Sequence, residues 1–265
     1  MFRSYLIPLF IIFIVFPTAC TMSKRKDSSE YYPRVYFEGE QLALARAIYN
    51  GETEELKNLI KENKIDLNKL GKEGYTLLFY ALEIEEYDMV KILLENGADP
   101  NVATLRTYVP GAGKQSEPEI QTNIELACYS NYNIDYLKLL LLYGANVNDT
   151  RAGSPVTRAV NGDQRDKIKF LIKNGANLNL IPEQGTTPLV TAGVLRRWDL
   201  IELFLDAGTD PFLDDNGSNL QKEIQNYITH FEGVGSNKRD LKHLIRRLQK
   251  EGMEFDFSKA KFRMD

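Results

Sequence analysis

An all-α solenoid, built from helix pairs stacked in a row, is the fold class this sequence predicts. Three observations carry the prediction. One pattern recurs as LLENGADPN at 93–101, LLYGANVN at 141–148, LIKNGANLN at 171–179 and FLDAGTDPF at 204–212, with a weaker copy, LIKENKIDLN, at 59–68. Its aligned acidic or amide residues, Asp66, Asp99, Asn146, Asn177 and Asp210, lie 33, 47, 31 and 33 residues apart, and self-similarity at such a period marks a repeat architecture. A second signature precedes the copies: YTLLFYA at 75–81, TNIELA at 122–127, SPVTRA at 154–159 and TPLVTA at 187–192. The second helices carry apolar residues at spacings of three and four, as in Val90, Leu93, Leu94 and in Leu200, Leu203, Phe204.

Taken in order, the elements agree. Residues 37–70 lack the opening signature and read as an N-terminal capping unit. Residues 71–213 hold the repeats. Each opens with Thr76, Thr122, Ser154 or Thr187, whose side-chain oxygen can satisfy orphan amides of the first turn. Pro155 and Pro188 sit in the first turn, where a missing N–H costs nothing. Ala81, Ala127, Ala159 and Ala192 are small where helices must approach closely, and Gly97, Gly144, Gly175 and Gly208 end the second helices. Residues 214–265 decay into NGSNLQKEIQNYITHF and DLKHLIRRLQKEGMEF, a divergent helix pair with a loop at 233–237 that closes the stack as a C-terminal cap. A single unit cannot bury its apolar face alone, so about five to six units including the caps must stack.

The two signatures resemble the T-P-L-H-x-A and G-A-D-x-N elements of ankyrin repeats, over residues 41–213. That resemblance implies helix-turn-helix units joined by β-hairpin fingers, and binding of protein partners across the concave surface of fingers and first helices. The family's His is absent from all four units; Phe79, Glu125, Thr157 and Val190 stand there, so its hydrogen bonds must be replaced. The 47-residue spacing carries a 14-residue excess, which places an enlarged, exposed finger at 103–120. A long insertion in a compact repeat is either functional or disordered. The family's variable surface positions fall on Lys72, Glu73, Tyr75 and Glu83, on Glu119, Gln121, Tyr129 and Ser130, on Arg151 and Asn161, and on Glu183, Gln184 and Val194. Arg106 and Tyr108 on the enlarged finger join them. Tyr and Arg are frequent interface anchors, so Tyr75, Tyr108, Tyr129 and Arg151 are the foremost candidates.

The N-terminus suggests where such a module would work. An apolar run of eleven residues, 6–16, is too short for a membrane-crossing helix of roughly 20 residues but fits the core of a secretory signal after Arg3. Pro17-Thr18-Ala19-Cys20 then resembles the lipobox of bacterial lipoproteins, with Pro17 where the family has Leu, Val or Ile. The resemblance implies removal of residues 1–19 and acylation of Cys20, and Thr21 in place of Asp implies the periplasmic side of the outer membrane rather than the inner membrane. An ordinary signal peptide with a coincidental cysteine is the alternative. Residues 20–36 read as the lipidated cysteine and a solvated tether.

Other chemistries find little support. The net charge of −4 argues against nucleic acid as a partner. PGAGK at 110–114 lacks a Gly at position 108 and a Ser or Thr at 115, so it is not a phosphate-binding loop. His230 and His243 have no spaced metal or triad partners, Cys128 reads as a small buried hydrophobe, and Trp198 as core. No cofactor and no metal are expected, and catalysis is not; Cys128 and His230 are the residues an enzyme would have to use. The basic run of Lys238, Arg239, Lys242, Arg246, Arg247 and Lys250 reads as a solvated capping face or a seat for acidic groups. The expectation is a monomeric, membrane-anchored protein-binding module facing the periplasm, in its most concrete form an immunity protein that neutralises a secreted antibacterial effector. A structural scaffold for envelope assembly or stress protection is the alternative.

Overall fold

The computed structural model describes residues 29–63, 65–109, 113–183, 185–215, 217–230 and 237–260. Cys20, the signal segment, Gln184 and most of the expected 233–237 loop lie outside the described residues. After a 3-10 turn, Ser29–Tyr31, the chain forms α1 (Pro33–Tyr36) and then six helix pairs. These are α2 (Gly39–Asn50) with α3 (Thr53–Asn63), α4 (Leu77–Glu83) with α5 (Tyr87–Glu95), and α6 (Asn123–Ala127) with α7 (Ile134–Leu142). They continue as α8 (Pro155–Asn161) with α9 (Arg165–Lys173), α10 (Pro188–Val194) with α11 (Trp198–Asp206), and α12 (Leu220–His230) with α13 (Asn237–Lys250). First helices stack in one layer, α2 on α4, α6, α8, α10 and α12 in turn; α3, α5, α7 and α9 stack in the other, as α13 does on α11.

The local signals act as expected. Thr76, Thr122, Ser154 and Thr187 each accept a hydrogen bond from the amide three residues on, at 3.0, 3.3, 3.4 and 3.4 Å. The four alanines are fully buried between first helices. Gly97, Gly144, Gly175 and Gly208 take φ of +94, +87, +86 and +87°. Where the family's His is missing, Phe79 and Val190 are buried in the core. Thr157 Oγ1 donates to Thr186 O at 3.0 Å, and Glu125 pairs with Arg158 of the next unit.

Side-chain clips tie the units together. Asn101 Nδ2 donates to Gly144 O at 3.0 Å while its Oδ1 accepts from Asn146 N at 2.7 Å. Asn148 does the same to Gly175 O and Asn177 N, and Asn68 to Gly97 O and Asp99 N. Asn179 Oδ1 accepts from Asp210 N at 3.0 Å. The equivalent position at the last junction is Phe212, which is 51% exposed. There Arg247 of α13 reaches back instead, to Glu202 at 2.6 Å and Asp206 at 2.7 Å on α11.

One boundary shifts. Residues 29–36, expected within the tether, belong to the fold. Tyr36 is fully buried, its ring 4.2 Å from that of Tyr75 and 5.7 Å from that of Tyr80. Its hydroxyl donates to Glu30 O at 2.8 Å, and Tyr80 donates to Tyr31 O at 2.7 Å. Aromatic area, not an apolar period, holds this segment, so a search for periodicity passes over it.

A candidate protein-binding face

The enlarged finger is an antiparallel hairpin of β1 (Thr104–Val109) and β2 (Gly113–Gln121). Its inner face buries Thr104, Arg106 and Gln121, and its outer face shows the cross-strand pair Leu105 and Ile120, each 42% exposed. The register slips beyond Arg106, and Pro118 removes one amide from β2. Irregularity and proline on an edge both discourage further strand pairing.

The hairpin leans back over the second unit. Gly74, at φ +72°, meets Leu105 O so closely that a Cβ there would overlap it. Glu73, also in the left-handed region at φ +53°, accepts from Thr107 Oγ1. Arg106 then crosses to α4, with Nη2 3.4 Å from Glu83 Oε1 and Nη1 donating to Gln121 Oε1 at 2.9 Å, its guanidinium 6.0 Å from the centre of the Tyr75 ring. Burial works against the Arg106 charge, and Glu83 with Tyr75 more than restores it. Tyr75 is fully buried, and burial first, then Glu83, drives its hydroxyl far above the usual range.

Four positions expected at the surface are therefore interior: Tyr75, Glu83, Arg106 and Gln121. The reason is common to all. Tyr36 and the hairpin cover the second unit, and neither contact is local in sequence. Lys72 is exposed and pairs with Glu38 at 3.0 Å, while Glu73 is half-buried. Arg151 is half-exposed but held, its guanidinium donating to Asp149 Oδ1 at 3.0 Å and to Asn101 O at 2.7 Å. The side chain of Tyr108 lies outside the described residues.

What stays open forms a row. Counting two residues beyond the buried alanine of each first helix gives Glu83, Tyr129, Asn161 and Val194 in successive units. The hairpin covers the first; Tyr129 is half-buried, Asn161 is exposed and Val194 is 56% exposed. Ser130, Glu119 and Glu183 are exposed beside this row or at the finger edge. Tyr129 is braced from behind. Arg158 stacks 4.4 Å from its ring centre, and the buried Lys167 donates to Tyr129 O at 2.6 Å. Burial lowers the pKa of Lys167 and lifts that of Glu125, an effect Arg158 opposes. Arg158 and Lys167 were not among the candidates. The available signal was Glu125, a charge in the place of the family's His, with the opposite charge of Arg158 one repeat on.

Catalytic alternatives have poor geometry. Burial pushes the Cys128 thiol up to about 12, so it stays protonated near neutrality. His230 lies exposed at the end of α12, with Nδ1 2.9 Å from Asn226 O. Trp198 is core, its ring 5.2 Å from that of Tyr227. Among the described residues no His, Cys, Asp and Glu cluster could hold a metal, and no helix is long and apolar enough to cross a membrane.

Comparison with known proteins agrees with the architecture. A family model for ankyrin repeats matches residues 24–104 and 124–215 in three copies, and the gap between the two stretches is the hairpin. An ankyrin repeat protein of Acanthamoeba polyphaga mimivirus is 31% identical over 163 residues, which cover 56% of this chain and 28% of that protein. Protein PhlB of Serratia liquefaciens is 30% identical over 165 residues, covering 61% of this chain and 66% of PhlB. The chain thus spans less than two thirds of these relatives. Among solved structures, the ankyrin repeat domain of Bcl-3, a member of the IkappaB family, superimposes with a TM-score of 0.59 at 21% identity, covering 80% of this chain and 86% of that one. The human ASB11 ankyrin repeat domain gives 0.56 at 22% identity, covering 83% and 88%. At these identities the structural likeness speaks for the fold alone. Repeat signatures, stacked helix pairs and the family match lead to one conclusion: this chain belongs to the ankyrin-repeat family.

Proposed function

We propose that this ankyrin module binds a protein partner along the open row of Tyr129, Asn161 and Val194, while a lipid on Cys20 holds it at the periplasmic side of the outer membrane. The observation that carries the binding face is the row itself, half-buried at Tyr129 and exposed at Asn161 and Val194, while the hairpin closes its first position at Glu83. A half-buried tyrosine whose ring is stacked by Arg158 and whose carbonyl is held by Lys167 has less freedom left to lose on binding, a property of interface anchors. Pro17-Thr18-Ala19-Cys20 supports the anchor. In its most specific form the module is an immunity protein: an inhibitor kept beside the membrane, where a toxin delivered by a rival cell would strike.

The test is a survival assay in the native host. Cells lacking the gene are challenged by a toxin-armed sibling and complemented with wild type, Tyr129→Ala/Val194→Asp, or Cys20→Ser. Wild type restores survival, the face variant restores none, and Cys20→Ser leaves the membrane fraction and protects poorly. Unchanged survival of the deletion strain rejects the immunity role and leaves a scaffold whose loss shows without a competitor. Full protection by the face variant rejects the row as the binding surface.

A further inference from the structure

Among the described helices, α13 has the most uneven charge distribution. Its fourteen residues hold six Lys or Arg against one Asp, a net of +5 in a chain whose total is −4, so the remainder carries −9. The charge is also sorted by face. At about 100° per residue, Leu241, Leu244, Ile245 and Leu248 share one side of the helix, and all four are fully buried. Arg239, Lys242, Arg246 and Lys250 fall on the opposite side within an arc of about 80°. Arg239, Arg246 and Lys250 are exposed and Lys242 is half-buried. Arg247 lies off this stripe and is turned inward, where Glu202 and Asp206 engage it. Glu202 also meets His243 Nδ1 at 3.0 Å.

We infer that this stripe is a docking surface for anionic lipid headgroups, and that it seats the C-terminal end of the solenoid on a membrane. Protein interfaces draw their energy from a few buried aromatic or apolar anchors, with charge at the rim. The stripe has none. The helix residues between and beside its cations are Lys238, Asp240, His243 and Gln249, and the apolar residues of the helix are all spent on the core. Long cationic side chains along roughly 16 Å of helix match a planar, laterally mobile layer of phosphates, which needs charge and no shaped pocket. Because its apolar face is occupied, the helix rests on the headgroups and does not sink among acyl chains. The membrane context comes from the anchor proposed above. A lipid at one end and a cationic stripe at the other would lay the stack along the surface.

The experiment uses the full chain carrying Cys20→Ser, so that no acyl group contributes. It is mixed with vesicles of phosphatidylcholine alone or with 30% phosphatidylglycerol, and sedimented at low and high salt. The N-terminal apolar run contributes to both vesicle types and Arg3, Lys24, Arg25 and Lys26 add to the anionic preference, so the part of that preference lost in R239Q/R246Q reads the stripe. Binding to the anionic vesicles is expected to be at least tenfold tighter, and to fall to the neutral level at 0.5 M salt. R239Q/R246Q removes about tenfold of the preference, while K169Q/K173Q on α9, an equal charge change on another exposed helix, leaves it intact. Circular dichroism checks that both variants remain folded. Equal binding to the two vesicle types overturns the inference. So does a preference that R239Q/R246Q retains, or binding of a polyglutamate peptide through these arginines without any lipid preference. Lack of acylation at Cys20 in cells would overturn the anchor and leave this vesicle result standing.

Discussion

Two kinds of junction hold this solenoid together. From the first unit to the fifth, a neutral asparagine side chain crosses each boundary and bonds the backbone of the next unit, as Asn148 does to Gly175 O at 3.2 Å and Asn177 N at 2.7 Å. Between the fifth and sixth units the asparagine is replaced by Phe212, and Arg247 bridges back to Glu202 and Asp206. The first device joins dipoles and is indifferent to salt. The second joins charges about a quarter exposed on Arg247 and Glu202, and salt screens it. Nearest-neighbour coupling sets the cooperativity of a repeat stack, so the sixth unit should be the one that ionic conditions detach.

The largest expected effect lies at the junction of units two and three, where the hairpin adds a third device. The Arg106 and Glu83 side chains are only 9% and 5% exposed. Glu83→Gln leaves a buried guanidinium without its counter-charge and should cost about 3 kcal/mol in urea unfolding. The hairpin should then become protease-sensitive near its base. An unchanged unfolding free energy would mean that backbone contact at Gly74, and not the ion pair, holds the hairpin down.

Next comes the direct contrast between the two devices. Asn148→Ala removes two backbone clips, at about 1 kcal/mol each, and the loss should be equal at 0.05 and 1 M salt. Arg247→Ala should cost about 1 kcal/mol at low salt and almost nothing at 1 M, where screening has already weakened the bridge. Thermal melts of both variants at the two salt concentrations provide the check. A salt-independent cost for Arg247→Ala would show that its stem packs against α11 and matters more than its charge.

The sequence disclosed the local parts of this picture and concealed the non-local ones. Thr76, Thr122, Ser154 and Thr187 cap their helices through bonds spanning three residues, and such caps are written where they act. Asn101 and Asn148 were visible as a recurring letter, but their partners lie 43 and 27 residues away. Tyr75 was expected at the surface because the repeat pattern puts it there. It is buried because Tyr36, in a segment of linker-like composition, stacks on it, and because Arg106 folds back from an insertion. Periodicity reports which face of a helix meets its own stack. It does not report what an added segment will cover, and so Tyr75, Glu83, Arg106 and Gln121 drop out of the expected face while the row of Tyr129, Asn161 and Val194 remains open.

The smallest effect has the opposite sign. Phe212→Asn would restore the missing clip. The side chain is half-exposed, so little packing is lost, and Phe212 N already accepts the local turn by donating to Asp210 Oδ1 at 2.9 Å, as Asn101 N does to Asp99 Oδ1 at 2.8 Å. The receiving strand of chain also keeps the repeat's geometry. Gly252 takes φ +98°, and Met253 N donates to Leu248 O at 2.9 Å, just as Ala98 N donates to Leu93 O at 3.0 Å after Gly97. An asparagine at 212 should therefore find the Gly252 carbonyl and gain about 0.5–1 kcal/mol of coupling. Hydrogen exchange of the α12 and α13 amides at high salt would show it, as protection rising toward that of the fifth unit. If protection does not change, the cap packs at a spacing the other junctions do not share. The phenylalanine would then be a consequence of that spacing, which the longer Arg247 side chain spans.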